Sequence, residues 1–95
     1  MNAIALQHRT AVVTGAAKGI GRAIAQRLLE SGAAVCLWDK APSAVTSTAQ
    51  ELARHGTTQA LTVDITDPAA VGSAVRATLE CLGHIDILVN NAGIS

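Results

Sequence analysis

Apolar positions in this chain fall in short runs that alternate with stretches of helical spacing, and Gly, Pro or Asp stands at nearly every junction. Thr10 to Thr14 reads as a strand. The segment Ile20 to Ser31 reads as a helix whose apolar face is Ile20, Ile24 and Leu28, ended by Gly32. Ala34 to Asp39, with Val-Cys-Leu-Trp at its centre, has the continuous apolar character of a parallel strand covered on both faces. A second helix starts at Pro42 or Ser43, places Val45, Ala49 and Leu52 at helical spacing, and stops at His55-Gly56. A third strand runs through Leu61, Thr62 and Val63 to Asp64. Asp67 can cap free amides and Pro68 needs no donor there, so the pair starts a third helix with Val71, Val75, Leu79 and Leu82 as its buried stripe. Gly83 ends that helix, and Ile85 to Val89 forms a fourth strand leading into Asn90-Asn91-Ala92-Gly93.

Alternation of this kind predicts an α/β protein: a parallel sheet with right-handed crossovers and helices on both faces. No repeat, low-complexity tract or linker interrupts the order, so residues 1–95 are read as part of a single domain. The fourth strand would ordinarily be covered by further elements, so its open edge is an expected site of association or aggregation.

Composition narrows the function. The chain is 49% hydrophobic, yet its apolar runs are only a few residues long, too short to span a bilayer. The N-terminus lacks the basic start and apolar stretch of a signal peptide, so the cytoplasm is the expected compartment. Formal net charge is +0 and the charges are scattered, which gives no footprint for nucleic acid or an anionic membrane. A small-molecule partner is what remains. Cys36 and Cys81 are expected to be reduced, structural thiols. His8, His55 and His84 stand alone near turns and are expected to be exposed, with no metal-ligand spacing among them.

The candidate chemistry lies after the first strand, in Thr14-Gly15-Ala16-Ala17-Lys18-Gly19-Ile20-Gly21. Glycines there let the backbone turn tightly and approach a diphosphate, while free amides at the helix start face the anion. Asp39 follows Gly21 by 18 residues, at the end of the second strand, where an acid grips a dinucleotide's ribose. The glycine spacing differs from the common G-x-G-x-x-G. It also lacks the Lys-Ser/Thr ending of an NTPase loop, because Lys18 is followed by Gly19 and Ile20.

This glycine segment, Asp64 after the third strand and Asn90-Asn91-Ala92-Gly93 after the fourth together resemble the short-chain dehydrogenases/reductases, most nearly the 3-ketoacyl-carrier-protein reductases and the sugar or alcohol dehydrogenases. The likeness covers nearly the whole chain. It implies the first half of a Rossmann-type doubly wound sheet, strand order 3-2-1-4. It also implies that Gly15, Ala16, Ala17, Lys18, Gly19 and Ile20 line the cofactor's pyrophosphate and adenosine ribose while Gly21 packs the helix onto the sheet. Asp64 would accept from the adenine amino group, the Ile65 backbone would meet the ring, and Asn91, Ala92 and Gly93 would lie beside a ribose.

Asp39 favours NAD, because a carboxylate accepts from both ribose hydroxyls but repels the extra phosphate of NADP. Lys18 and Lys40 offset that repulsion and keep NADP as the second choice. Blander roles stand beside these: Asp39 or Asp64 as a helix cap, Asn90 as a structural amide, and Trp38 as packing near the adenine.

Hydride transfer to a carbonyl also needs a proton donor and a group that polarises the oxygen. In the resembled family a serine, a tyrosine and a lysine supply these, all downstream of the Asn-Asn-Ala-Gly motif. This chain has no tyrosine, and Ser31, Ser43, Ser47, Ser73 and Ser95 are wrongly placed. No catalytic residue is therefore assigned. The expectation is an NAD-binding segment of an oxidoreductase, inactive alone, whose intact form is a homo-oligomer, a tetramer by the resemblance. The alternative is a non-catalytic nucleotide-binding or interaction fragment.

Overall fold

The computed structural model describes residues 5–92. Four strands, β1 (Thr10–Thr14), β2 (Ala34–Asp39), β3 (Thr58–Thr62) and β4 (Ile87–Val89), alternate with three helices, α1 (Gly19–Glu30), α2 (Pro42–Leu52) and α3 (Pro68–Leu82). All pairings are parallel and the order is β3-β2-β1-β4, so the chain winds outward from β1 in both directions. Register is set by apolar pairs such as Val12 with Cys36 and with Leu88, and Val13 with Leu37.

Side chains alternate across the pleat, and each face of the sheet owns a core. Ala11, Val13, Val35 and Leu37 point to one side, where Ala25 and Leu29 of α1 and Val45, Ala49 and Leu52 of α2 cover them. Val12, Cys36 and Trp38 point to the other, under Ala74 of α3 with Val71, Val75 and Leu82 packed around it. Each fully buried Val or Leu in these layers contributes roughly 1.5–3 kcal/mol of transfer free energy. Both faces are therefore occupied, as the continuous apolar runs of β1 and β2 require. No described helix is long and apolar enough to cross a membrane.

Several elements differ in detail from the sequence reading. The apolar face of α1 is displaced by one residue: Gly21, Ala25 and Leu29 are buried, Ile24 and Leu28 flank them, and Ile20 is 69% exposed. Small residues sit at the closest approach to the sheet, where periodicity built on large side chains cannot see them. Likewise Ala74 and Thr78 are the buried residues of α3, and Leu79 is 41% exposed.

Strand β3 begins at Thr58, earlier than the apolar run suggested, because an edge strand tolerates polar residues such as Thr58 and Gln59; Val63 and Asp64 follow its end. β4 begins only at Ile87. Asp86 ties itself to β1 by donating its N–H to Thr10 O and accepting Thr10 N–H on Oδ2, both at 2.8 Å. The second helix ends at Leu52 and tightens into a 3₁₀ turn, Ala53–His55. The third helix starts as expected, with Asp67 accepting from Ala69 N at 3.0 Å.

Candidate functional site: a glycine-lined cleft at the carboxyl ends of the strands

The loop between β1 and α1 is shaped by glycine at two points in particular. Gly15 has a φ of 63°, a conformation that L side chains rarely adopt. Gly21 has no room for anything larger: a Cβ there would lie 2.1 Å from Gly15 O and 2.7 Å from Asn91 Nδ2. The first turn of α1 therefore lies directly against the loop that precedes it. Lys18 occupies the N-cap position without a side-chain hydrogen bond to the helix, and the first turn carries no acidic residue. The leading amides are left for something else to satisfy.

Three neighbouring segments hold the loop. Ala16 N donates to Trp38 O at 3.2 Å, fastening the loop to the end of β2. Asp39, half-buried at that strand end, accepts from Ala17 N on Oδ2 and from Ala41 N on Oδ1, each at 3.1 Å. Its carboxylate is thus fixed between the glycine loop and the start of α2, and each oxygen keeps a further lone pair. On the other side, Thr14 Oγ1 accepts from Asn91 N and Ala92 N at 2.9 Å each, and Asn91 Nδ2 donates to Gly15 O at 3.2 Å. The single Thr14 proton lies within reach of Asn90 Oδ1 at 3.3 Å and Val89 O at 3.4 Å.

A cleft of about 510 Å³ opens between these segments. Of the residues singled out from sequence, Gly15, Lys18, Gly19, Ile20, Trp38, Asp39, Lys40, Asp64, Ile65, Asn91 and Ala92 line it, joined by Val63 and Thr66. Ala16, Ala17 and Gly21 are buried behind the lining. Gly93 lies outside the described residues. Asp64 is exposed and its Oδ1 accepts from Thr66 Oγ1 at 2.6 Å and Thr66 N at 2.9 Å. The Thr66 hydroxyl, then the Thr66 amide, hold its carboxyl below the usual carboxylate range. Asp67, not Asp64 or Asp39, caps the next helix. Trp38 is buried, with its Nε1 donating to Thr78 Oγ1 at 3.3 Å, and Thr78 in turn donates to Ala74 O at 2.8 Å.

Sequence reasoning gave Thr14, Thr48, Thr66 and Thr78 no role, although each hydroxyl makes a contact that shapes the cleft or the layer beneath it. Threonine inside a strand or helix carries no pattern that marks it. Nor did the histidines read correctly in every case. His8 and His84 are exposed, but His55 is half-buried in the 3₁₀ turn, its Nε2 accepting from Arg54 Nε at 3.3 Å. His84 also has a carboxylate neighbour, with Nδ1 2.6 Å from Asp86 Oδ2. All three line a second cleft of about 410 Å³ at the amino ends of the strands. No group able to hold a metal ion occurs among the described residues. Cys36 is buried and free, Cys81 exposed and free, and burial pushes the Cys36 thiol up.

A parallel sheet in the order β3-β2-β1-β4, with a glycine loop at the point where the winding reverses, defines the Rossmann class of doubly wound folds. The family model described as short chain dehydrogenase matches residues 9–95, and the chain belongs to that family. It is 47% identical over 90 residues to 1-deoxy-11-beta-hydroxypentalenate dehydrogenase of Streptomyces avermitilis, a match that covers 94% of this chain and 33% of that protein. The chain thus spans about a third of the length of the curated relatives it matches. Among solved structures, Pseudomonas aeruginosa RhlG in an NADP active-site complex superposes with a TM-score of 0.89 at 41% identity, covering 97% of this chain and 37% of that one. NAD+-bound xylitol dehydrogenase gives a TM-score of 0.90 at 32% identity, covering 93% and 34%.

Proposed function

We propose that these residues form the cofactor-binding part of an oxidoreductase that moves a hydride between NAD and a hydroxyl or carbonyl substrate. The observation that carries this reading is the placement of Asp39. Its carboxylate stands at the mouth of the cleft, fixed by the amides of Ala17 and Ala41 and able to accept from a ribose diol. The chain's shape fits such a group, since the Gly21 position is closed to a Cβ and the start of α1 is free of side-chain caps.

Bound there, the nicotinamide would supply the hydride acceptor or donor. The chain's own residues bind and orient. The amides at the start of α1, from Lys18 to Ile20, meet the diphosphate, those of Ala16 and Ala17 being taken by Trp38 O and Asp39 Oδ2. Asp39 selects the unphosphorylated ribose, and Asp64 accepts from the adenine amino group. The Ile65 backbone meets the adenine ring, and Asn91, Ala92 and Gly93 flank a ribose. The NAD+-bound relative supports this choice, while the NADP complex of RhlG, with Lys18 and Lys40 beside Asp39 in this cleft, supports NADP as the second reading.

Trp38 is the only aromatic residue in the chain and it lines the cleft, so its fluorescence reports binding without background. Titration is expected to show NAD binding about fivefold or more tighter than NADP; tighter NADP binding would overturn the preference. A hydroxyl/carbonyl dehydrogenase also needs a proton donor at the reacting oxygen. With no tyrosine present, the purified chain is expected to bind cofactor and oxidise no alcohol, and NADH formation with secondary alcohols would refute that.

A further inference from the structure

Ala17 is held at both of its peptide groups. Its N–H goes to Asp39, and its carbonyl accepts from Thr48 Oγ1 at 2.5 Å. Thr48 belongs to α2, lies outside the cleft lining and is only 3% exposed. Arg22, in the first turns of α1, directs Nη1 at the same hydroxyl and at Glu51 Oε1, each at 3.5 Å. A guanidinium only donates, so Thr48 accepts from Arg22 and its single proton is committed to Ala17 O.

The direction of that bond matters for the cleft. In a planar trans peptide the C=O and N–H of one unit point opposite ways. With the Ala17 carbonyl drawn into the buried side against α2, the Lys18 N–H of the same unit is turned outward, and Lys18 is part of the lining.

We propose that Thr48 is a positioning residue: its hydroxyl fixes the Ala17–Lys18 peptide so that the Lys18 amide faces the ribose and phosphate oxygens of the cofactor's adenosine half. This rests on the dinucleotide reading given above. Thr48 touches no cofactor atom itself; it acts through the Ala17 carbonyl. Removing the hydroxyl frees the peptide to rotate and leaves the Ala17 carbonyl buried without its partner.

The test compares the wild-type chain with Thr48→Val and Thr48→Ser, using Trp38 fluorescence for NAD affinity and the amide NMR spectrum for Lys18. Thr48→Val is expected to bind NAD about tenfold more weakly, the effect of one net hydrogen bond, while Thr48→Ser stays within about twofold of wild type. The wild-type Lys18 amide is expected to move downfield on saturation with NAD. Equal affinity in Thr48→Val, or an equally large loss in a folded Thr48→Ser, would overturn the proposal. If Thr48→Val does not fold, the wild-type Lys18 resonance decides: a downfield shift supports the assignment and an unmoved one overturns it. A wild-type chain that binds neither NAD nor NADP would instead sink the underlying function.

Discussion

Gly21→Ala sets two physical effects against each other and lets the structure choose. Ala is a better helix former than Gly by about 0.8–1.0 kcal/mol, so propensity alone makes the variant more stable. The contact says the reverse. A Cβ at this position would sit 2.1 Å from Gly15 O and 2.8 Å from Gly15 C. Restoring ordinary contact requires α1 to move off the loop by about 1 Å or more. Both atoms belong to the backbone, which cannot swing aside, and Leu29 and Ala25 further along α1 would be pulled from the sheet. Overpacking of this kind costs about 1–3 kcal/mol, which outweighs the propensity gain or at least cancels it. At the upper end the net loss is about 2 kcal/mol, a fall in Tm of roughly 8–16 °C for a domain this small.

Gly72→Ala in α3 is the control, because there a Cβ meets only the end of the Arg76 side chain at 3.7 Å. That variant is expected to gain about 0.5–1 kcal/mol. Thermal denaturation followed by circular dichroism reads both. If Gly21→Ala proves as stable as Gly72→Ala, the close approach of α1 to the glycine loop is not what the structure says it is.

Two further outcomes follow from named contacts. Asp39→Asn leaves one acceptor oxygen for two amide donors, so NAD affinity is expected to fall about tenfold while NADP loses less; an unchanged NAD-to-NADP ratio would remove Asp39 from cofactor choice. Asp86 has its carboxyl held below the ordinary value of 3.8 mainly by the Thr10 amide, and then by His84. Its folded-state value is depressed, so the stability it gives is present above the ordinary carboxylate range and lost as the pH falls through the lower, folded-state value. Asp86→Asn is therefore expected to flatten the acid limb of a Tm-against-pH curve, and an acid limb as steep as wild type would refute it.

Much of the scaffold could be read from the chain because β1 and β2 are buried on both faces, and burial leaves continuous apolar runs such as Val35 to Trp38. The glycine loop and Asp39 were visible for a related reason: tight turns and a carboxylate at a strand end are matters of residue type. What escaped was set by size and by single hydroxyls. The face of α1 is turned by its smallest residues, Gly21 and Ala25, and a hydrophobic period weighs those least. The apolar run starts later than β3 does, because the strand's first residues, Thr58 and Gln59, are polar, as an edge allows. Nothing local marks Thr48 or Thr78, whose partners lie 31 and 40 residues away along the chain.

The Thr14 hydroxyl carries a kinetic consequence. It joins the end of β1 to the loop after β4, across 77 and 78 positions of chain. Contacts between segments so remote in sequence are the ones whose closure slows folding most. A chain in which β1, α1 and β2 have formed but β4 has not yet docked lacks the Asn91 and Ala92 wall of the cleft. A ligand that needs that wall engages only the completed sheet and shifts the folding equilibrium in its favour by mass action. Cofactor saturation should therefore slow the global release of β4 far more than the fraying of α2's exposed outer face.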